Sequence, residues 1–223
     1  MVKTLLDALE IEPPQVANAS IIWLHGLGAD GSDFSPIVPQ IHLANPIQLR
    51  YIFPHAPVRP VTLNGGMPMR AWYDIYGLGD TLHEKGEDIR ESALLVNQLI
   101  QQEEERGIPS NRIVLAGFSQ GGAVALHAGL RYPKPLAGAL VLSAYLPLNE
   151  TVAEEASGAN KKIPILFASG IHDRIVYPEW GKAGYQKLIE MGYPATLKNY
   201  EMEHTICPQE IKDIAAWLNG VLL

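Results

Sequence analysis

The chain has 223 residues, of which 47% are hydrophobic and 18% are charged. This balance excludes a disordered chain and can bury the core of one α/β domain, which we expect to span residues 1–223. The formal net charge of -7 argues against a nucleic-acid partner, because binding to phosphates requires positive charge.

Strands and helices are predicted to alternate along the chain, and the strands are apolar on both faces. Such strands are typical of a mostly parallel sheet covered by helices on both sides. The Pro-rich stretch 53–68 is predicted to be a loop. The predicted strands are 20–24, 49–53, 112–116, 138–142, 163–168 and 196–200, and the predicted helices are 33–41, 87–106, 120–130, 178–191 and 208–218.

The predicted helix 87–106 has an apolar face and an acidic end. Its triple glutamate at 103–105 is expected to be solvated, because three adjacent carboxylates are costly to bury. Four apolar residues recur at helical spacing and should face the sheet. They are Ile89, Ala93, Val96 and Ile100.

A strand-to-helix junction carries the sequence Gly-Phe-Ser-Gln-Gly at 117–121. The Gly-x-Ser-x-Gly pattern in this context indicates a nucleophile elbow, in which the serine adopts a strained conformation above the sheet edge. The flanking glycines keep side chains out of the tight turn. Ser119 is therefore the expected nucleophile, and a glycine-rich loop formed by chance is the alternative.

A serine nucleophile needs a base and an orienting acid, which follow it in the order acid, then histidine, in α/β-hydrolases. Asp173 is the only aspartate between Ser119 and His204, and His204 lies in a late loop. His127 lies in the helix after the elbow, and His172 is next to Asp173. Glu179, Glu201 and Glu203 remain alternatives for the acid.

Acyl transfer also needs N–H donors for the negative charge that forms on the carbonyl oxygen. One expected donor is the backbone N–H of Gln120, directly after the nucleophile at a helix N-terminus. The other is the N–H of Leu27, in the glycine-rich loop 25–31, where we expect His25 to bond the loop backbone. An ordinary turn is the alternative for this loop, and the common phosphate-loop patterns do not fit it.

Several motifs in one order resemble the carboxylesterase and acyl-protein thioesterase branch of the α/β-hydrolases, from about residue 20 onward. The matching stretches are His-Gly-Leu-Gly-Ala-Asp at 25–30, Ala-Pro-Val-Arg-Pro-Val-Thr at 56–62, Trp-Tyr-Asp-Ile at 72–75, Gly-Phe-Ser-Gln-Gly-Gly at 117–122, Asp-Arg-Ile-Val at 173–176, and His204 with Cys-Pro-Gln-Glu at 207–210.

This resemblance implies an α/β-hydrolase fold and the hydrolysis of esters or thioesters without a cofactor or a metal. It implies Ser119, Asp173 and His204 as the catalytic residues and Leu27 and Gln120 as the oxyanion donors. It also suggests a homodimer. Two positions depart from the family pattern: Glu203 stands where glycine commonly precedes the histidine, and Arg-Ala at 70–71 replaces Pro-Ser.

Residues 64–76 combine methionines and aromatic side chains between a strand and the long helix. With Leu27, the side chains of Met67, Met69 and Trp72 could line an acyl-binding groove, because methionine adapts to varied apolar ligands. The equal alternative is that Trp72 anchors the loop on the core. Asp74 is expected to form hydrogen bonds within its loop.

The insertion 149–162 is short and rich in glutamate, so we expect no large lid. An open site favours small-molecule esters of short to medium acyl chains, or acylated larger substrates. An acyl-protein (depalmitoylating) thioesterase or a lysophospholipase is the alternative for the main role. A peptidase or a dienelactone hydrolase is a further alternative enzyme, and a non-catalytic binding protein with the same fold is the alternative outside enzymes.

Cysteine content and hydropathy bear on the compartment. A single cysteine, Cys207, excludes an intramolecular disulfide and fits a reducing compartment, and a packing role is expected for it. Acidic residues interrupt residues 1–10, where an export signal would need an apolar core. No apolar run approaches the ~20 residues that cross a bilayer. We therefore expect a cytoplasmic protein without stable membrane insertion.

Overall fold

A seven-stranded sheet forms the centre of the computed structural model, which describes residues 6–77 and 83–223. The strands in chain order are β1 (Ala8–Ile11), β2 (Ala19–Leu24), β3 (Leu49–Pro54), β4 (Val58–Pro60), β5 (Pro68–Arg70), β6 (Ile75–Gly77), β7 (His83–Glu84), β8 (Ile113–Phe118), β9 (Gly138–Leu142), β10 (Ile165–Gly170) and β11 (Ala195–Tyr200).

The strand order in the sheet is β1-β3-β2-β8-β9-β10-β11, and β4–β5 and β6–β7 form two small antiparallel pairs. Only β1 runs antiparallel to its neighbour among the described strands of the large sheet. The helices are α1 (Gly86–Glu105), α2 (Gln120–Arg131), α3 (Val152–Glu155), α4 (Pro178–Glu190) and α5 (Pro208–Leu222), and short 3-10 helices span Ser35–Gln40, Thr62–Asn64, Ser110–Arg112 and Gly158–Asn160.

Two apolar layers cover the sheet, and strand periodicity assigns side chains to them. In β2, Ile22 and Leu24 pack with α1 and α2, whereas Ile21 and Trp23 pack on the opposite face with α5. Successive side chains of a strand point to opposite faces, so a continuous apolar run fills both layers. The predicted architecture, a mostly parallel sheet with helices on both faces, is therefore confirmed.

The six predicted strands occur within two residues of their predicted ends. Four predicted helices also occur, and α5 continues to Leu222 because this leucine is buried in the apolar layer. The face of α1 predicted to point at the sheet is buried, as expected.

The predicted helix 33–41 is wrong in type. The structure has a 3-10 helix at Ser35–Gln40, with prolines at its start and at position 39. Proline has no backbone N–H, so the segment cannot complete the hydrogen-bonding pattern of an α-helix. The short strands β1, β4, β5, β6 and β7 and the single-turn α3 were not predicted, since each is too short for a periodic signal.

The solvated end predicted at 103–105 is wrong for Glu103, whose side chain is buried. Its carboxylate accepts hydrogen bonds from Arg50 Nη1 at 2.8 Å and Arg106 Nη1 at 2.9 Å. The hydroxyl of Ser20 on β2 also donates to it. Burial is tolerated because both oxygens are paired with cationic or hydroxyl donors.

None of the described helices is both long and apolar enough to cross a membrane.

Candidate active site

The turn from β8 to α2 holds Ser119 in a strained conformation. Its φ of 55° and ψ of −123° lie outside the regions that a serine normally adopts. A Cβ on Gly117 would lie 2.3 Å from the carbonyl carbon of Gly121, and a Cβ on Gly121 would lie 2.4 Å from the carbonyl oxygen of Leu24. Only glycine fits at these two positions, so the pattern of the predicted elbow has a steric cause.

Asp173 and His204 form a direct hydrogen-bonded pair. The distance between His204 Nδ1 and Asp173 Oδ2 is 2.6 Å. The other carboxyl oxygen, Oδ1, accepts the backbone N–H groups of Ile175 and Val176, each at 2.9 Å. Asp173 is buried, and its carboxylate cannot donate, so the shared proton lies on Nδ1. The Nε2 of a neutral His204 is therefore free to accept a proton.

The loops that carry this pair follow adjacent parallel strands, β10 and β11. The backbone N–H groups of Ile171 and His172 donate to the carbonyl oxygens of Tyr200 and Met202, at 2.9 and 3.1 Å. A Cβ on Gly170 would lie 2.3 Å from the carbonyl oxygen of Met202. The close approach that glycine permits therefore brings the acid and the imidazole together at the carboxyl edge of the sheet.

Ser119 and His204 line the same cavity, whose volume is about 500 Å³. The imidazole packs against the ring of Phe118, directly before the serine, with 4.6 Å between the ring centroids. The structure thus brings three residues that are distant in sequence to one cleft: the serine of the elbow, the histidine and, behind the histidine, the aspartate.

Leu27 and Gln120 also line this cavity. Neither of their backbone N–H groups donates to an acceptor within the part of the chain that the structure describes. His25 shapes the loop before Leu27. Its Nε2 accepts the N–H of Ala56 at 3.0 Å, and its Nδ1 donates to the carbonyl oxygen of Gly26 at 2.7 Å. Burial lowers the pKa of His25, so it stays neutral, in the structural role predicted for it.

Trp72 is an anchor and does not line the cavity. Its side chain is fully buried, and its indole N–H donates to the carbonyl oxygen of His25 at 2.9 Å. The side-chain amide of Gln120 accepts the backbone N–H of Trp72 at 2.7 Å and donates to the carbonyl oxygen of Tyr73 at 2.8 Å. The segment after β5 is therefore tied to both the elbow and the loop before Leu27.

Met67 and Met69 are not in the cavity lining either. Both belong to the β4–β5 hairpin region; Met67 is 60% exposed, and the sulfur of Met69 lies beside Gly28. The hairpin was predicted to be a loop, and neither methionine that it carries lines the cavity that contains Ser119. The groove predicted from Met67, Met69 and Trp72 is thus replaced by a different set of apolar side chains. The main ones are Phe34, Ile37, Ile75, Tyr145, Ile175, Val176 and Ile206.

Sequence reasoning missed these lining residues because their signal is weak. Ile175 and Val176 directly follow Asp173, and Tyr145 follows β9, so their positions after strands at the carboxyl edge are a signal that could have found them.

The alternative acids and bases lie elsewhere. His172 Nε2 contacts the exposed Glu201 at 2.9 Å, and Glu179 and Glu203 are exposed. Burial lowers the pKa of His127 to about 3, with smaller contributions from nearby arginines. Asp74 accepts the N–H and the hydroxyl of Thr62, each at 2.7 Å, and so has the loop role predicted for it.

Residues 7–222 match the family described as phospholipase/carboxylesterase. The chain belongs to this family. It is 37% identical over 237 residues to acyl-protein thioesterase 1 of Cryptococcus neoformans, covering 98% of this chain and 99% of that one. It is 42% identical over 184 residues to acyl-protein thioesterase 1 of Schizosaccharomyces pombe, covering 82% and 81% of the two chains.

Solved structures of similar proteins agree with the fold. SOBER1 of Arabidopsis thaliana has a TM-score of 0.88 at 34% identity, covering 93% of this chain and all of that one (100%). Acyl-protein thioesterase 2 of Zea mays has a TM-score of 0.86 at 30% identity, covering 97% and 99%. The predicted family resemblance and the α/β-hydrolase fold without a large lid are thereby confirmed.

Proposed function

We propose that this member of the phospholipase/carboxylesterase family hydrolyses carboxylic esters and thioesters through an acyl-enzyme on Ser119. The main support is the hydrogen bond of 2.6 Å between Asp173 and His204, next to a strained serine in the same cleft. A weakly nucleophilic hydroxyl needs such a base, and the base needs such an orienting carboxylate.

In the proposed mechanism, His204 Nε2 takes the proton of Ser119 as the hydroxyl oxygen attacks the substrate carbonyl. Asp173 stabilises the imidazolium that forms. The free N–H groups of Leu27 and Gln120 hold the oxyanion, and the N-terminus of α2 adds its dipole. His204 then protonates the leaving alcohol or thiol, and a water molecule releases the acid from Ser119 by the same steps.

The proposed substrates are small-molecule esters or acylated larger molecules with short to medium chains. The cleft holds about 500 Å³ and has a largely apolar lining, which suits an alkyl chain. Acyl-protein thioesterase relatives support thioesters, and the family description supports oxygen esters. Pairs of substrates with the same acyl group, one an oxygen ester and one a thioester, would measure the preference between them.

The test of the nucleophile combines Ser119→Ala with a fluorophosphonate probe and a short aryl ester. We expect the wild type to be labelled and active, and Ser119→Ala to lose both labelling and turnover. Ser157→Ala, outside the cavity lining, is the control and should retain both. Hydrolysis that survives Ser119→Ala at the wild-type rate would refute the nucleophile. A wild type that is neither labelled nor active would favour the non-catalytic binding protein.

We also propose a cytoplasmic protein that forms a homodimer. The single cysteine supports a reducing compartment. Ile175 and Tyr177 are 49% and 43% exposed beside the site and offer apolar surface to a second copy. Light scattering over a concentration series measures the mass, and a monomer at every concentration would contradict the dimer.

A further inference from the structure

Tyr145 separates the active-site cleft from a second cavity of about 660 Å³. Within the described part of the chain, it is the one residue that lines both cavities. The second cavity is lined by apolar side chains, including Leu146, Leu148 and Trp180, and by polar ones, including Glu84, which contacts Tyr145. Tyr145 therefore stands where an alkyl chain bound in the cleft would have to stop or continue.

Hydrogen bonds from distant parts of the chain hold the tyrosine ring in place. The hydroxyl of Tyr145 donates to Glu84 Oε2 at 2.7 Å, and the hydroxyls of Tyr145 and Tyr73 are also hydrogen-bonded. Glu84 Oε1 accepts the backbone N–H of Leu148 at 3.0 Å. The ring also packs in a T-shaped arrangement with Trp180, with 6.3 Å between the ring centroids.

This arrangement makes the wall difficult to move. Tyr145 and Tyr73 are buried, so swinging the ring aside would break, in a buried position, the hydrogen bonds of the Tyr145 hydroxyl to Tyr73 and to Glu84 Oε2. The hydrogen bonds are therefore expected to keep the two cavities separate while a substrate is bound, and a chain that reaches Tyr145 meets a closed end.

We propose that Tyr145, held by Glu84 and Tyr73, sets the maximum length of the acyl chain that this enzyme accepts. This inference rests on the proposed ester and thioester hydrolysis and assigns the arm of the cleft at Tyr73, Ile75 and Tyr145 to the acyl chain. Removal of the ring joins the cleft to the second cavity. Each further methylene that leaves water there should raise kcat/KM about fourfold.

The test measures kcat/KM for aryl esters from butyrate to palmitate. For Tyr145→Ala, we expect the ratio of dodecanoate to butyrate to rise about tenfold or more over the wild type, as two further methylenes become buried. Tyr145→Leu is a second variant that fills more of the space if the alanine variant does not fold. Tyr76→Ala removes an exposed tyrosine outside both linings and should keep the wild-type ratio.

Glu84 is a positioning residue in this proposal, and its variants separate its effect on the ring from general damage. Glu84→Ala should raise the same ratio, because the tyrosine hydroxyl loses its acceptor. Glu84→Gln retains a carbonyl acceptor and should restore most of the wild-type ratio. Thermal unfolding shows whether each variant is folded, and a merely structural role would lower activity on all chain lengths alike.

Two further series make each outcome decisive. For acetate esters of alcohols of increasing length, the dependence of kcat/KM on alcohol length should be the same in Tyr145→Ala as in the wild type. If Tyr145→Ala changes this dependence but not the dependence on acyl length, the arm holds the leaving group and the proposal is overturned. Binding of saturated fatty acids, measured by calorimetry, needs no turnover. Tyr145→Ala should bind long fatty acids more tightly than the wild type does, relative to short ones. If the wild type hydrolyses esters but no variant alters the dependence of hydrolysis or of fatty-acid binding on chain length, Tyr145 does not limit chain length and the proposed function stands. If no ester is cleaved, the proposed function fails, and the fatty-acid series alone decides whether Tyr145 limits chain length.

Discussion

Glu210 is expected to make the protein less stable as the pH rises, and Glu210→Gln should remove this loss. The glutamate lies in the first turn of α5, its side chain is buried, and its carboxyl oxygens have no hydrogen-bond partner among the described residues. Burial raises the pKa of Glu210 to about 8. The backbone N–H of Cys207 opposes this rise but does not reach hydrogen-bond geometry, and the charge of Asp213 adds to it.

The sign follows from proton binding in the two states. The folded protein binds this proton more tightly than the unfolded chain, whose glutamate has an ordinary pKa of 4.5. Unfolding therefore releases a proton between about pH 4.5 and 8, and the free energy of unfolding falls as the pH rises through this window. At about 1.4 kcal/mol per pKa unit, the total loss is on the order of 5 kcal/mol.

Urea unfolding of the wild type and Glu210→Gln at several pH values from 5 to 9 measures this loss. The variant should gain stability relative to the wild type as the pH rises, by a few kcal/mol between about pH 5 and 8. Glu179→Gln is the matched control, since Glu179 lies in the first turn of α4 but is exposed. A difference between Glu210→Gln and the wild type that stays constant with pH would show that the carboxyl is ionised in the folded state, contrary to this reasoning.

Two other substitutions test the pair at the site and the buried carboxylate in the sheet. Asp173→Asn should lower kcat by about 10³- to 10⁴-fold, because an amide N–H facing His204 would move the imidazole proton to Nε2. Steady-state kinetics measure kcat, and a value within about tenfold of the wild type would contradict a catalytic role for this hydrogen bond. Glu103→Ala should lower the free energy of unfolding by about 3 to 5 kcal/mol, because Arg50 and Ser20 lose their acceptor in a buried position. Urea denaturation measures this free energy, and Glu91→Ala is the control because the Glu91 side chain is largely exposed. A change below about 1 kcal/mol for Glu103→Ala would contradict the role of this network.

Local patterns were enough to predict the parts of the site that one short segment builds. The elbow is mostly such a part, because the strain at Ser119 and the close contact of Gly117 with Gly121 arise within the turn, whereas the close contact of Gly121 with Leu24 comes from β2. Chain order was enough to select Asp173 and His204 as candidates. Their contact at 2.6 Å follows once β10 and β11 are neighbours, since parallel strands end at the same edge.

The choice between two roles for one side chain depended on packing. Trp72 suits a groove and an anchor equally well as a residue type, and only its hydrogen bond to the carbonyl of His25 and its burial decide for the anchor. Glu103 is one of three adjacent glutamates, and only its contacts with Arg50 and Ser20, which lie on two neighbouring strands, distinguish it from the other two. These two partners lie more than fifty residues away in sequence.

By itself, the sequence determined the alternation of strands and helices, the family, and the identity of the residues that could perform acyl transfer, because hydrophobic periodicity and steric demands at a turn are encoded locally. The tertiary structure decided which side chains enclose the cleft. The wall at Tyr145 depends on Glu84, 61 residues before it, and on Tyr73, 72 residues before it. No local pattern records such a contact, because it exists only when separate loops pack on one edge of the sheet.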